Sequence, residues 1–449
     1  MDMHPSARLE RVLPGLMDEL ADARTPDYLE AAIEQASTRP QRPAWTFPER
    51  WIPMDIVTTP ASSARFPLPA MGILALIALL IAATLIVATG SPELTPAPPF
   101  GVAANGAIAY SADSEAGDSK DILAHDPATG TTVAIVSGPE NDVEPRYSRD
   151  GTQIVFARLQ PGDDDLADVM VANADGSDVR TITPAPMALT PSVMAASYTF
   201  APDGSAVAIT GYGPDDQASV LVVPTAQGSD HRWYDLADAT PGIMAVREPH
   251  YRPTDPNTLL VTVDRAAGPE VISLDLDTGA TTSIVTGNAD AGLDSARWSP
   301  DGQSISYVTW SNAASGLSAR THIVNPDGTG DRLLPAPDGM VFDIAAAWSN
   351  DASRLLVVRG FTTGWDDTRA AIVPADGSSV GTPIPFEETI QGGCCYAWEW
   401  SPDDSQVLGK RITSDGTSGN QVIVDVDSAT LSVAPWDVIH VPVWQRLAP

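Results

Sequence analysis

The sequence predicts an all-β fold built from repeated four-stranded sheets, and the first reason is a phrase that returns about every fifty residues. Each copy has an aromatic residue, a polar turn rich in Pro, Asp and Gly, and then a short apolar run, as in Trp298-Ser-Pro-Asp-Gly302. Self-similarity at this period is typical of stacked supersecondary units, and Asp-Gly between β-rich runs is typical of hairpins. The aromatic residues of the six copies are Tyr147, Phe200, Tyr251, Trp298, Trp348 and Trp400.

A second series of hairpin signals alternates with the first, for example Asn325-Pro-Asp-Gly328. These signals lie between apolar runs in which β-branched residues favour strands. Each repeat therefore contains two hairpins, which means four strands. The seven signals of this series begin at Asp126, Asn173, Thr225, Asp277, Asn325, Ala375 and Asp427.

The two ends of the repeat region supply the pieces that one repeat lacks. Val441-Pro-Val-Trp444 has the form of an aromatic strand without a partner, and Asn105-Gly-Ala-Ile-Ala-Tyr110 has the form of the partner without its aromatic strand. If these segments pair, the first and last repeats form one sheet and the ring closes. The sequence then predicts a seven-bladed β-propeller of four-stranded blades over residues 105–449, after a linker at 91–104.

The aromatic-Ser-Pro-Asp-Gly phrase resembles the repeat of TolB-like propellers, which are also described as WD-like. The resemblance covers most of the chain after residue 101 and implies the propeller fold, but it implies no activity, because that class includes interaction scaffolds, lyase-type enzymes and the gating propellers of peptidases. This chain departs from the repeat at Arg149, where Pro is usual, at Thr254–Pro256, at Asn350–Ala352 and at Asp403–Asp404. We expect looser turns at these positions.

A helix is expected before the predicted propeller. Residues 69–90 contain no charged side chain and are rich in Leu, Ile and Ala. At about 1.5 Å per residue, such a helix reaches close to the ~30 Å of a bilayer core, so we expect one transmembrane helix. Seven arginines precede it, and the first basic residue after it is Lys120. The positive-inside rule then predicts a cell-membrane protein with residues 1–65 in the cytoplasm and the propeller outside.

The cytoplasmic segment, residues 1–65, is expected to hold two short amphipathic helices followed by an Arg/Pro-rich juxtamembrane stretch. Two interpretations of that stretch remain open. It is either a docking strip for a cytoplasmic protein or for anionic lipid, or an extended linker whose aromatic side chains rest at the membrane interface. The candidate docking residues are Trp45, Phe47, Arg50 and Trp51.

The two cysteines, Cys394 and Cys395, are adjacent. An exported domain meets an oxidising environment, so one interpretation is a disulfide between neighbours that stiffens the loop before the last aromatic strand. Neighbouring Cα atoms lie only about 3.8 Å apart, below the usual disulfide range. Two buried thiols, or pairing with another chain, therefore remain open as alternatives.

Composition limits the partners. The net charge is −33, and the chain after residue 65 has 18 basic and 48 acidic residues. So acidic a domain repels phosphate backbones, which excludes nucleic acid as the expected partner. The simplest interpretation of this net charge is a solvated protein surface on which copies of the molecule repel one another.

Motifs for catalysis are absent from the sequence. There is no Gly-x-Ser-x-Gly elbow, no His-Glu-x-x-His pair and no phosphate-binding loop, and the histidines after residue 90 have no ligand-like spacing. Asp142, Asp294 and Asp343 each precede an aromatic by four or five residues and are candidates for a cation site at the funnel mouth, although chance alignment is expected in so acidic a chain.

We therefore expect a propeller scaffold that binds a protein or peptide, that needs no cofactor and that communicates with a cytoplasmic partner. The alternative is a funnel enzyme of lyase or lactonase type with a metal held by acidic residues.

Overall fold

The computed structural model separates residues 91–449 from residues 1–90 as a compact unit of their own. It describes residues 100–448 apart from short gaps at 115–116, 118, 190–196, 214–216, 229, 237–241, 289–290, 314–315, 363–366, 385–394, 413–417 and 437–440. The expected cytoplasmic segment and transmembrane run lie outside the described residues. No helix within the described ranges is long and apolar enough to cross a membrane.

The named elements of the described region are all β-strands, and most belong to four-stranded antiparallel sheets. Five of these sheets are separate: β9–β12 (Tyr198–Phe200, Ala206–Tyr212, Ala218–Pro224, Arg232–Asp235), β13–β16 (Ile243–Arg252, Asp255–Arg265, Glu270–Asp275, Thr281–Thr286), β17–β20 (Gly292–Trp298, Ile305–Ala313, Gly316–Val324, Arg332–Leu333), β21–β24 (Phe342–Trp348, Arg354–Gly360, Thr368–Pro374, Thr382–Pro383) and β25–β28 (Cys395–Trp400, Gln406–Ile412, Ser418–Asp425, Leu431–Val433).

The remaining strands form a nine-stranded sheet that contains two further four-stranded runs. A single parallel bridge, Lys120 to Asn141, joins the two runs. A short extra strand, β8 (Met187–Ala188), pairs with β6. The runs are β29–β1–β2–β3 (Val443–Leu447, Ala104–Asp113, Lys120–Asp126, Thr131–Val136) and β4–β5–β6–β7 (Asn141–Tyr147, Gln153–Gln160, Asp163–Asn173, Arg180–Thr181).

The predicted hairpins are confirmed. Each of the seven signals of the second series lies between two strands that pair antiparallel. The predicted pairing between the two ends of the repeat region is confirmed as well. β29 pairs with β1, with Trp444 opposite Ile108 and Leu447 opposite Ala104. These pairings agree with the propeller fold expected from the repeat.

Burial decreases from the middle to the outside of each sheet. In β22 nearly every residue is buried, whereas most of β3 is exposed. Middle strands are buried on both faces because neighbouring sheets pack against them, so they consist of continuous apolar runs such as Leu355–Val358.

The repeat aromatics connect neighbouring sheets. Trp298 at the end of β17 packs with Leu260 and Val271 of the preceding sheet. Trp348 donates a hydrogen bond through Nε1 to Ser306 Oγ at 2.9 Å, again in the preceding sheet. One large side chain per repeat therefore forms much of the apolar contact between adjacent sheets, which explains why the aromatic returns with the repeat.

Three of the four departures from the repeat do not loosen their turns as expected, and the looser turn at Thr254–Pro256 stays a prediction. The turn after Tyr147 keeps its closing hydrogen bond, Gly151 N to Ser148 O at 2.9 Å, although Arg149 replaces proline. Ala352 and Asp404 stand in the glycine position at φ 61° and keep the same hydrogen bond. Asp404 also accepts hydrogen bonds from the backbone N–H groups of Asn350 and Asp351 in the neighbouring sheet, at 2.7 and 2.9 Å. These added contacts hold its turn.

Candidate functional site: the central channel

The first strands of the sheets surround a cavity of about 300 Å³. In six of these strands the residue directly before the repeat aromatic lines the cavity, and we call these six residues the channel ring. The ring is the nearest feature of the fold to a binding site, because it gathers side chains from six sheets. Its members are Arg146, Thr199, His250, Arg297, Ala347 and Glu399.

Irregular pairing between the first and second strands positions the channel ring. In β4, β13, β17, β21 and β25 the register with the second strand shifts immediately before the ring residue. In three of these strands a residue with positive φ lies within the shift: Glu144 at 55°, Glu248 at 57° and Ser295 at 55°. A bulge re-aims the side chain that follows it, so the repeated bulge accounts for the alignment of the ring.

Two guanidinium groups in the channel have no partner within the described part of the chain. Arg146 of the ring and Arg149, three residues later in the turn, both line the cavity, and neither side chain forms a hydrogen bond or ion pair with a described residue. Burial, together with the charge of Arg446, lowers the pKa of Arg149 to about 9. The charge of Glu399 opposes this lowering, so a channel carboxylate offsets the charge of Arg149 only from beyond ion-pair distance.

Two carboxylates also line the channel. Glu248 is 3% exposed, accepts a hydrogen bond from Ser295 N at 2.9 Å and lies 3.5 Å from Arg247 Nη1. Arg247 is shared with Asp264 and Asp294. Glu399 accepts a 3.3 Å hydrogen bond from Trp444 N. Burial raises the pKa of Glu399 to about 7, although this hydrogen bond and nearby arginines oppose the rise.

His250 is a neutral member of the ring. Trp298 N donates to His250 Nδ1 at 3.4 Å, which requires an unprotonated Nδ1 and leaves the proton on Nε2. Burial lowers the pKa of His250 to about 3, with a further contribution from the charges of Arg297 and Arg149. The ring therefore keeps a neutral imidazole at neutral pH.

The three aspartates considered for a cation site do not come together. Each forms an ion pair with a different arginine: Asp142 with Arg158 at 2.7 Å, Asp294 with Arg247 at 3.2 Å and Asp343 with Arg320 at 3.3 Å. Among the described residues there is no group of three or more His, Cys, Asp or Glu side chains arranged to hold a metal ion. These carboxylates neutralise arginines within and between sheets.

The other candidate residues are partly outside the described chain. Cys394 and the strip of Trp45, Phe47, Arg50 and Trp51 lie outside it, and Cys395 is the first residue of β25, with no description of its side chain. The vicinal disulfide and the docking strip therefore stay predictions. The repeat aromatics, in contrast, lie at the ends of the first strands, where they both pack between sheets and border the channel.

Sequence reasoning missed Arg146, Arg149 and Glu399. Arg149 had a readable signal, because it replaces the proline found at the equivalent positions Pro202 and Pro300, and both prolines line the same cavity. Arg146 and Glu399 share the position before the aromatic, and only the bulges show that this position faces the channel.

The sequence matches no protein-family model and no curated protein sequence. Among solved structures, it is similar to a prolyl endopeptidase, with a TM-score of 0.55 at 11% identity over 78% of this chain and 51% of that chain. It is also similar to a puromycin-hydrolyzing peptidase of Mycobacterium tuberculosis, with a TM-score of 0.51 at 16% identity over 77% of this chain and 55% of that chain. The chain thus spans about half the length of these two peptidases, and the likeness shows the fold alone.

TolB from Acinetobacter baumannii is also similar, with a TM-score of 0.43 at 14% identity over 75% of this chain and 82% of that one. At this TM-score the similarity carries no conclusion about the fold of the chain or about what it does.

Proposed function

We propose that the chain is a membrane-anchored, extracytoplasmic β-propeller that binds a protein or peptide ligand and serves as a scaffold. The observation that carries the proposal is the central channel. It is lined from six sheets, and it contains two arginines, Arg146 and Arg149, whose side chains form no hydrogen bond or ion pair with a described residue. Rigid strands that present charged groups to an open space are suited to binding, because the site loses little entropy when a ligand enters.

We also propose that the propeller has seven blades. Five separate four-stranded sheets and the two four-stranded runs of the nine-stranded sheet support this number. Pairing of β29 with β1 would complete the seventh blade and leave no unpaired strand edge between the first and last strands of the propeller.

The membrane anchor and the cytoplasmic role rest on the sequence. The uncharged run at 69–90 and the arginines before it support a single span with residues 1–65 inside. Affinity capture from crosslinked membranes tests the scaffold, using the full-length protein and a variant that lacks residues 1–65. Partners lost with the truncation would support coupling to the cytoplasm, and partners held by both would support an exterior scaffold. Capture of no partner by either would count against both.

A channel enzyme is the second candidate, and Glu399 is the observation that favours it. A carboxyl group with a pKa near 7 beside arginines is a common arrangement for a general acid or base. Metal analysis of the purified protein separates the metal-dependent form of this candidate from the scaffold. A stoichiometric divalent ion would favour the enzyme.

A further inference from the structure

We propose that the channel binds a carboxylate group through Arg146 and Arg149, and that this carboxylate is the C-terminal end of a peptide. This inference deepens the proposed scaffold function and rests on it for the peptide source. The carboxylate site itself rests on the channel residues and is tested separately.

The charges of the channel favour a small anion. Arg146, Arg149 and Arg297 line it together with two carboxylates, Glu248 and Glu399, so three cationic side chains face two anionic ones. The positive groups are therefore in excess. The two guanidinium groups without partners carry planar forks of N–H donors, which match the two oxygens of a carboxylate.

The size and walls of the channel restrict the ligand further. About 300 Å³ accommodates the end of a chain or a small acid, but not a folded domain. The lining also includes the turn prolines Pro202, Pro253 and Pro300, which offer apolar surface to the organic part of the ligand. The net charge of −33 of the whole protein disfavours polyanions, so the site suits a single carboxylate on a small organic body.

Isothermal titration calorimetry with the purified full-length protein tests the site at pH 7.5 and low salt. The probes are acetyl-alanyl-alanine with a free carboxylate, the same peptide with a C-terminal amide, and succinate. We expect the free acid to bind and the amide to bind at least about tenfold more weakly, because a charge-assisted hydrogen-bonded pair contributes about that factor or more.

Three variants assign the binding to the channel. Arg149→Pro restores the residue of the other turns, and Arg146→Gln removes a charge with little change in size. Each is expected to weaken binding of the free acid about tenfold or more. The control is Arg369→Gln, which removes the same charge from an exposed arginine paired with Asp367, and it should leave binding unchanged.

The outcomes separate the two proposals. Succinate that binds in the same arginine-dependent way, while the peptide acid does not, would support the carboxylate site and identify a small acid as its source. Absence of binding by every carboxylate probe, or binding that Arg149→Pro and Arg146→Gln leave unchanged, would overturn the site. If the probes fail but membrane capture still yields partners, the site is wrong and the scaffold stands. If the probes bind and no partner is captured, the site stands and the scaffold is wrong.

Discussion

Arg149 occupies a turn position that normally belongs to proline. The turn after Tyr147 needs a residue with φ near −65° at its second position, which proline supplies at Pro202 and Pro300. Arginine supplies no such restriction and adds a charge that burial disfavours, as the lowered pKa of its guanidinium indicates. A residue that lowers stability in two ways is expected where function requires it.

We predict that Arg149→Pro stabilises the folded protein. The substitution restricts the unfolded chain, which is worth about 0.4–1 kcal/mol, and it removes the poorly matched charge. Arg149 N donates no hydrogen bond to the described residues, so proline removes no backbone contact there. Urea denaturation measures the effect. Arg149→Ala is the control for the charge alone, and a proline variant that is less stable than wild type would contradict the prediction.

Glu399 and His250 are predicted to give stability opposite dependences on pH. The folded-state pKa of Glu399, about 7, lies above its ordinary 4.5, so the folded protein binds the extra proton and Glu399 makes stability fall as the pH rises from about 4.5 to 7. The folded-state pKa of His250, about 3, lies below its ordinary 6.5, so His250 makes stability fall as the pH drops below 6.5.

The corresponding variants separate these two contributions. The difference in unfolding free energy between Glu399→Gln and wild type should become more favourable to the variant as the pH rises from 5 to 8. The same difference for His250→Gln should become more favourable to the variant as the pH falls from 7.5 to 4. Urea denaturation of both variants and wild type between pH 4 and pH 8 checks the result. Differences from wild type that stay constant with pH would show that neither group titrates as described.

At the scale of the element, turns and hairpins were predictable because their signals are local. Asp-Gly and Pro-Asp-Gly fix the turn chemistry within four residues, and the second strand of each hairpin follows directly. The bulges were not predictable. The irregularities at Glu144, Glu248 and Ser295 depend on how the first strand meets its partner, and no shared residue type marks them. The channel ring depends on these bulges, so its members could not be identified from the sequence.

The turn at Gly151 is predicted to tolerate no side chain. Gly151 has φ 73°, and a Cβ atom there would overlap the carbonyl oxygen of Arg446 in β29, far inside van der Waals contact distance. Gln445 Nε2 also donates a 2.8 Å hydrogen bond to Gly151 O in the same turn. Gly151→Ala should therefore be destabilised by both backbone strain and a clash between two backbones.

Gly130 offers a matched control for this prediction. It has nearly the same φ, 71°, but an added Cβ would meet no atom within 4 Å. Gly130→Ala should lose only the roughly 1–2 kcal/mol of a left-handed alanine, and Gly151→Ala should lose clearly more. Equal losses in urea denaturation would show that the contact with β29 is unimportant.

At the scale of the whole molecule, the contact between the first strand, β1, and the last, β29, is predicted to contribute much of the free energy of unfolding. Trp444 in β29 is 4% exposed and packs with Ile108 of β1 and Leu408 of β26. Trp444→Ala should destabilise the protein by about 3–5 kcal/mol, as expected for a buried tryptophan. Trp310→Ala is the control, because Trp310 is 38% exposed, and it should lose far less. Urea denaturation and limited proteolysis would measure both, and similar losses would contradict the prediction.

The pairing of β1 with β29 has a consequence for biosynthesis. β1 ends at Asp113, and its partner is complete only at Leu447. At about 5–20 residues per second, a ribosome needs roughly 20 to 70 s to make the intervening chain. During that time one edge of β1 has no strand beside it, and the side chains of Ile108 and Tyr110 lack the residues that bury them in the folded protein, such as Trp444. A nascent chain in this state is a substrate for chaperones and a target for aggregation until β29 is made.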